Sequence, residues 1–223
     1  MTYRLYHYAL SPFCRKLRLV LSEKEIKFEL IEEKYWEKRR EFQEMNPAGT
    51  VPVLRDENVT LSESRAICEY IEALYPDPRL FPVDPLEQFE TRRMISWIDE
   101  KLHHDVTSRL VGERVLKRVQ ERGPPVAETI AKGRKGLQFH FTYFEHLLGR
   151  RDWIAGPRMT MADFAAAAHI SCLDFIGDID WRDWPFLKNW YATMKSRPAF
   201  RPLLSEYHMK FPHPPEWYSD LDF

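Results

Sequence analysis

The sequence predicts two domains of different classes, a small α/β domain followed by an all-α domain. Apolar and polar residues alternate at positions 3–8 and 26–31, which is the period of a β-strand. Four prolines then fall within positions 76–85, and such a cluster cannot continue a helix or a central strand. Beyond it, apolar residues recur at helical spacing. We therefore predict an α/β domain at 1–76, a proline-rich linker at 77–86, an all-helical domain at 87–210 and an extended tail at 211–223.

The elements of the first domain are predicted in the order βαβαββα. The strand at 3–8 leads through Ser11-Pro12 into a helix, and the strand at 26–31 leads into a charged segment with a short helix. Residues 51–54 and 59–61 indicate a hairpin about Asp56-Glu57-Asn58. A helix at 64–74 completes the domain, since Ser64 follows an acidic residue and precedes an amphipathic run.

The second domain is predicted to contain helices at 89–111, 113–122, 126–149, 161–175 and 184–194. Thr160 and Asp163 open the fourth of these as a capping box in which aspartate replaces the usual glutamate. Asp163 is therefore assigned a structural role. The tail has too many prolines for regular structure.

Composition excludes several classes of function. Because 33 basic side chains face 34 acidic ones, no overall field attracts nucleic acid or an anionic membrane. No apolar stretch approaches about 20 residues and the first residues do not form a signal peptide, which predicts a cytoplasmic protein without membrane insertion. Three widely spaced cysteines fit neither a disulfide framework nor a zinc site, and no metal is predicted.

The segment around Pro52 is the most informative for function. A proline inside the apolar run of residues 51–54 cannot donate to a sheet ladder, so it lies at an edge or in a special turn with a cis bond. Such a turn leaves a backbone group free for a ligand. Glu63 and Ser64 then begin a helix whose unpaired N–H groups suit a carboxylate. An ordinary hairpin followed by an ordinary cap is the alternative.

A small βαβαββα unit joined by a proline linker to an all-helical domain, with Val51-Pro52 inside it and Ser62-Glu63-Ser64 before its last helix, resembles the cytosolic glutathione transferase superfamily. The resemblance implies a thioredoxin-like first domain that binds reduced glutathione as a co-substrate or ligand, with no tightly bound cofactor. It places the Val51 backbone and cis-Pro52 beside the cysteinyl part. Glu63 and Ser64 would hold the γ-glutamyl group. Lys38 or Lys34 would reach the glycyl carboxylate, unless both belong to a solvated face.

The chemistry that the resemblance implies rests on Ser11-Pro12-Phe13-Cys14. In related redox folds a cysteine stands at the first position, where the helix dipole acidifies it. Here Ser11 stands there, and its hydroxyl can donate a hydrogen bond to a glutathione thiolate. Ser11 is thus the candidate catalytic residue. Cys14 is either a spare thiol or, more commonly, buried filler.

In this superfamily an apolar electrophile would lie near the first loop and the first long helix of the second domain. Adjacent His103 and His104 diverge by about a hundred degrees on a helix, which argues against a metal pair. Asp99 is either a carboxylate that reaches a partner subunit or a helix surface residue. Candidates to line the pocket are Leu10, Trp36, His103, His104 and Thr107.

A second interpretation comes from charge and from the tail. Residues 101–136 hold nine basic and four acidic side chains, a local basic excess in a neutral protein, although a solvated helix face is the alternative. The chain ends in the acidic, aromatic Asp220-Leu221-Asp222-Phe223, which is either a strap over its own domain or a docking peptide.

Four segments, at 11–16, 33–40, 112–119 and 220–223, are similar to a group of alphaproteobacterial division proteins within the superfamily. Those proteins are dimers that bind filaments of FtsZ, the bacterial tubulin homologue, and shape filament curvature. The similarity implies a homodimer, a non-catalytic role and a list of contact residues: Trp36, Phe42, Glu113, Asp220, Asp222 and Phe223. Transfer of glutathione to an electrophile and binding of FtsZ filaments both stay open at this point.

Overall fold

The structure, a computed structural model, describes residues 2–206, 211 and 213–221. The chain divides into two compact units. The first, unit 1, ends at Leu80, and the second, unit 2, begins at Phe81.

Unit 1 confirms the predicted order of elements. Its sheet has the strand order β2-β1-β3-β4, in which β1 runs parallel to β2 and antiparallel to β3. Leu5 of β1 lies opposite Leu54 of β3, and both side chains are fully buried. The strands are β1 (Tyr3–His7), β2 (Phe28–Glu32), β3 (Val53–Arg55) and β4 (Thr60–Ser62), and the helices are α1 (Pro12–Glu23), α2 (Arg40–Met45) and α3 (Ser64–Leu74), with a 3₁₀ turn at Tyr35–Glu37.

The hairpin between β3 and β4 is closed by the side chain of Asp56. Its Oδ1 accepts hydrogen bonds from the backbone N–H groups of Asn58 at 2.7 Å and Val59 at 2.8 Å. The backbone N–H of Asp56 also donates to the carbonyl of Val59 at 3.0 Å. An aspartate that bonds to the backbone two residues later is a common way to form a turn, which is why the sequence predicts this one.

A buried lysine fastens the end of unit 1. The Lys24 side chain has no exposed area, and its Nζ donates to the carbonyls of Tyr75 and Pro78, each at 2.7 Å. The same ammonium lies 2.7 Å from Glu72, whose other carboxylate oxygen accepts the backbone N–H of Leu80 at 2.9 Å. The segment after α3 is thereby held on the end of α1.

Unit 2 is helical, as predicted, but its first helix differs from the prediction. π-helical segments at Trp97–Thr107 and Gly112–Leu116 join three α-helical stretches, so the chain stays helical from Pro85 to Val119. The predicted interruption at Gly112 was wrong. The α-helices are α4 (Pro85–Ser96), α5 (Ser108–Val111), α6 (Lys117–Val119), α7 (Ala127–Leu148), α8 (Met161–Phe175), α9 (Pro185–Lys195) and α10 (Arg201–Leu204).

The start of α4 also lies earlier than predicted. Asp84 is its N-cap residue and accepts hydrogen bonds from the backbone N–H groups of Leu86 at 2.9 Å and Glu87 at 3.0 Å. Pro85 is the first helical residue, a position where its fixed φ and missing N–H are favourable. Pro85, which the sequence analysis placed in the linker, is therefore the first residue of this helix.

Helix α8 forms the centre of unit 2, and every one of its 15 residues is buried. The capping box is present: the Thr160 hydroxyl accepts from the backbone of Ala162, and the Asp163 carboxylate accepts from the backbone of Thr160 at 2.7 Å. Asp163 also accepts hydrogen bonds from the backbone N–H of Ile154 at 2.8 Å and the indole N–H of Trp190 at 2.9 Å. One carboxylate thus joins the start of α8 to the preceding loop and to α9.

Two helical glycines in unit 2 make a matched test of packing. A Cβ at Gly136 would lie 2.8 Å from the backbone oxygen of Asp105, whereas a Cβ at Gly112 would have no atom within 4 Å. We expect Gly136→Ala to destabilise the protein by about 1–3 kcal/mol through overpacking. Gly112→Ala should stabilise it by roughly 0.5–1 kcal/mol, since alanine favours a helix. Urea unfolding measures both, and equal effects would contradict the packing.

None of the helices within residues 2–206, 211 and 213–221 combines the length and the apolar character that a membrane-spanning helix needs.

Candidate functional site

The turn from β1 into α1 places a hydroxyl at the start of a helix. Ser11 is the N-cap residue of α1, and its Oγ accepts the backbone N–H of Cys14 at 3.3 Å. The Ser11 backbone N–H donates to the carbonyl of Tyr8 at 3.0 Å and closes the turn. Because the oxygen acts as the acceptor in the cap, the hydroxyl can direct its proton to a ligand such as a thiolate.

Cys14 faces the interior. Its side chain has no exposed area, and its Sγ accepts the backbone N–H of Tyr8 at 3.4 Å. Reactive cysteines need partial exposure and an electropositive environment. The structure agrees with buried filler as its role and not with a spare thiol.

The loop before β3 contains the cis bond that the sequence suggested. The Val51-Pro52 peptide is cis, and Val51 is 8% exposed. The side chain of Asn46 holds this loop, because its amide donates to the carbonyl of Thr50 at 2.9 Å and its oxygen accepts the N–H of Ala48 at 3.2 Å. These hydrogen bonds therefore fix the backbone conformation of the loop that contains Val51.

Glu63 and Ser64 lie at the start of α3, next to that loop. The Glu63 backbone has φ +68°, a left-handed conformation that non-glycine residues seldom adopt and that occurs often at functional sites. Its exposed carboxylate is 3.5 Å from the Thr50 hydroxyl, and Ser64 is buried. The structure thus brings together the two halves of the site that the resemblance implies. The helix N-terminus suits an anion and the Glu63 carboxylate suits an ammonium group.

Basic residues follow β2 in unit 1. Lys34 lies 3.4 Å from Glu37, and Arg39 lies 2.6 Å from Glu33. Lys38 is exposed with φ +50°, and within the described residues it forms no ion pair. Of the two lysines predicted for the glycyl carboxylate, Lys38 is thus the better placed to receive one.

Trp36 lies in an aromatic cluster. Its ring centroid is 4.9 Å from that of Tyr8 and 5.3 Å from that of Tyr35, both edge to face. The ion pair between fully buried Glu33 and Arg39 closes the segment that carries this tryptophan. Sequence reasoning missed this pair, since a spacing of six residues matches neither a helix nor a strand. The result is a half-buried Trp36 in a defined position.

Phe42 is not at the surface. Its side chain has no exposed area and its ring lies 6.1 Å from that of Tyr6. The side chain is used in the packing of α2, and the predicted partner contact of Phe42 stays a prediction.

Glu113 also has a structural role. It is 8% exposed, it accepts the backbone N–H of Val126 at 2.7 Å and it lies 2.7 Å from Lys117. The carboxylate therefore fixes the residue that precedes α7. Little of the Glu113 side chain is exposed, and its predicted role as a partner contact stays a prediction.

Five of the nine basic side chains at 101–136 lie beside an acidic partner. Asp178, outside the segment, lies 2.5 Å from Arg114 and 3.1 Å from Arg134. Three more of the nine basic side chains have an acidic partner. These additional pairs are Lys101–Asp105, Lys117–Glu113 and Lys132–Glu128.

Residues 213–221 of the tail pack on unit 2. The carbonyl of Asp220 accepts a hydrogen bond from the buried Lys195, and Leu221 is 40% exposed. Asp222 and Phe223, both predicted as contacts, lie outside the described residues.

Most of the residues predicted to line an electrophile pocket are buried or hydrogen-bonded to neighbouring side chains. Leu10 is buried in unit 1. In unit 2, Thr107 is buried with its hydroxyl 2.9 Å from Nδ1 of His169, and His104 lies 3.1 Å from Asp105.

His103 is a half-buried imidazole close to His169. Burial, reinforced by nearby His169, lowers the pKa of His103 to about 4. The Asp99 side chain is only 12% exposed and lies 3.6 Å from His169, so a simple surface role for this carboxylate was wrong. Within residues 2–206, 211 and 213–221, no group of three or more His, Cys, Asp or Glu side chains could hold a metal ion.

Both units match known family models. The model described as glutathione S-transferase, N-terminal domain matches residues 5–79, and the one described as glutathione S-transferase, C-terminal domain matches residues 126–206.

Some of the similar proteins are named for FtsZ and others are named glutathione S-transferases. The chain is 42% identical to FtsZ-localized protein A of Caulobacter vibrioides, over 98% of this chain and 97% of that protein. It matches the solved structure of FzlA from C. crescentus with a TM-score of 0.96 and 41% identity, covering 100% of both chains. It matches equally well a glutathione S-transferase from Rhodospirillum rubrum F11, with a TM-score of 0.96 and 44% identity over 99% of this chain and 100% of that one.

Proposed function

We propose that the chain, which belongs to the glutathione S-transferase family, is an FtsZ-associated protein of the cytoplasm that binds FtsZ filaments and regulates their curvature. The observation that carries the proposal is the similarity to FtsZ-localized protein A, which extends over nearly the full length of both proteins. Such an extent includes both units and the C-terminal region together.

The burial of Phe42 and Glu113 reduces the proposed contact surface. Trp36 is half-buried in the cluster with Tyr8 and Tyr35, and Asp220 and Leu221 are exposed near the end of the chain. Aromatic side chains fixed by their neighbours lose little entropy on binding, which favours Trp36 as an anchor. Phe42 and Glu113 support the fold beneath and take no direct part.

Co-sedimentation with GTP-assembled FtsZ filaments tests the proposal. We expect the chain to pellet with filaments, and Trp36→Ala to weaken this binding at least tenfold. Phe186→Ala is the matched control, because Phe186 is a 52% exposed aromatic residue in unit 2 and should bind within twofold of the wild type. A wild-type chain that stays in the supernatant, with filaments present in the pellet, refutes the proposal.

A deletion that tests the tail must begin after Asp220. Because the carbonyl of Asp220 holds Lys195, a deletion that begins at Asp220 would disturb unit 2 itself. Removal of residues 221–223 keeps this contact and asks only whether these three residues contribute to filament binding.

A homodimer is part of the same proposal. Three large apolar side chains of the helices α4 and α7 are strongly exposed: Leu86 is 74%, Phe89 61% and Phe139 56% accessible. Exposed apolar groups of this size favour association, and two copies would give a filament binder two points of attachment. Light scattering would report twice the 26.7 kDa mass of the chain, and a mass of one chain contradicts the dimer.

Glutathione binding in unit 1 is the second candidate, favoured by the geometry of Ser11, cis-Pro52 and Glu63. Calorimetric titration with reduced glutathione decides it. Binding that Glu63→Gln weakens supports a working site. The absence of heat at several temperatures contradicts it, without consequence for the filament experiment.

If the site is catalytic, Ser11→Ala should lower the conjugation rate with an electrophile at least tenfold, about 1.4 kcal/mol of transition-state stabilisation. The same change removes the N-cap of α1 and should cost roughly 0.5–2 kcal/mol of stability. Ser11→Gly is the better control for folding, because glycine replaces a cap at a cost of a few tenths of a kcal/mol. An unchanged rate in both variants would exclude Ser11 from the mechanism.

A further inference from the structure

The end of the chain is bound to unit 2 as a peptide would be. We call residues 213–221 the strap. Tyr218 is its anchor, since the side chain has no exposed area and the hydroxyl donates to the carbonyl of Leu203 at 3.1 Å. Its ring lies edge to face with Phe175 at 5.3 Å.

A buried lysine recognises the backbone of the strap. Lys195 is fully buried, and its Nζ donates to the carbonyl of Trp217 at 3.0 Å and to that of Asp220. Burial lowers the pKa of Lys195 to about 8, although Asp174 and Asp220 oppose this shift. The ammonium is therefore held at a desolvation cost, so the contact is not as strong as its hydrogen bonds alone would make it.

An aspartate recognises one side chain of the strap. Asp174 Oδ1 accepts the indole N–H of Trp217 at 3.1 Å and that of Trp181 at 2.9 Å. Trp181 stacks on Tyr191 with ring centroids 5.1 Å apart, which fixes the receiving surface. Trp217 remains 41% exposed, beside a groove of about 680 Å³ that both tryptophans line.

Two prolines lie in the strap just before its anchor. Pro214 and Pro215 limit its conformations before binding, and Pro215 has φ −58° and ψ 154°, the values of an extended polyproline segment. A segment already close to its bound conformation loses little entropy when it binds again.

We propose that this surface of unit 2 is a peptide-binding groove, that the strap occupies it within one chain, and that the same segment from a second copy of the chain can replace it. The features that carry the proposal are an aromatic anchor in a closed pocket, two backbone carbonyls held by one lysine and an indole held by one carboxylate. They are the elements by which proteins bind extended peptides. Exchange of such a segment between copies costs little, since every contact is reproduced.

The experiment separates the strap from its covalent connection. A protease site is inserted between Glu206 and Phe211 of the full chain, which is then cleaved and mixed with a fluorescent peptide of residues 211–223. We expect the peptide to replace the cleaved strap and to bind saturably. A peptide with Tyr218→Ala should bind at least tenfold more weakly. A peptide with Leu221→Ala, altered at an exposed position, should bind within twofold of the original.

Three results overturn the proposal. If the cleaved fragment never exchanges while circular dichroism stays unchanged, or if its loss unfolds unit 2, the segment is an integral part of the core. If it dissociates from a folded protein and neither it nor the peptide binds again, there is no groove.

Discussion

Replacing Asp163 with alanine is expected to lower the free energy of unfolding by about 3–5 kcal/mol, the range for loss of one member of a buried charged network. The carboxylate is completely buried and accepts hydrogen bonds from Ile154, Thr160 and Trp190. Alanine would leave these donors without an acceptor in an interior that water does not reach. Burial raises the pKa of Asp163 to about 6, and the hydrogen bonds that the carboxylate accepts limit the rise.

Chemical denaturation at pH 7 measures this loss. Asp152→Ala is the control, because Asp152 is exposed and its replacement should change stability by no more than about 0.5 kcal/mol. Asp163→Asn should fall between the two, since the amide keeps the shape and one acceptor but turns a donor towards the N–H of Thr160. A loss below 1 kcal/mol for alanine would show that the capping box contributes little.

Replacing Lys24 with methionine is expected to destabilise the protein by a similar amount, about 3–5 kcal/mol. Methionine has nearly the same length but donates no hydrogen bond, so the carbonyls of Tyr75 and Pro78 would lose their donor and Glu72 would lose its counter-charge. The loss arises mainly from the groups left behind.

The control for Lys24 is Lys27→Met, a change at an exposed position of unit 1. The double variant Lys24→Met/Glu72→Gln should lose less stability than the sum of the single changes, because the uncompensated carboxylate is then absent. Additive losses would mean that the ion pair does not couple the two residues.

Local signals made most of the fold predictable. The capping box at Thr160 and Asp163, the hairpin at Asp56 and the helix that follows Ser64 each depend on residues a few positions apart. Their chemistry is the same in a peptide as in the protein. The family resemblance added the relation between Pro52 and Glu63, which are distant along the chain and neighbours in unit 1.

The sequence did not predict which of the aromatic and charged side chains are buried. Phe42 and Glu113 look like exposed residues in a charged context, and both are covered by contacts with residues remote in sequence or on another element. Lys24 and Lys195 likewise read as surface lysines, although each ammonium satisfies backbone carbonyls at positions that only the tertiary structure brings close. Such roles depend on the packed fold and not on local pattern.

The two arginines that share Asp178 also affect how fast a partner can find this protein. One carboxylate cancels only one of these two positive charges, so residues 101–136 together with Asp178 hold nine basic against five acidic side chains. An acidic partner would therefore meet a positive surface and associate faster than the roughly 10⁵–10⁶ M⁻¹ s⁻¹ of uncharged surfaces. Added sodium chloride would slow this association, because salt screens exposed charges.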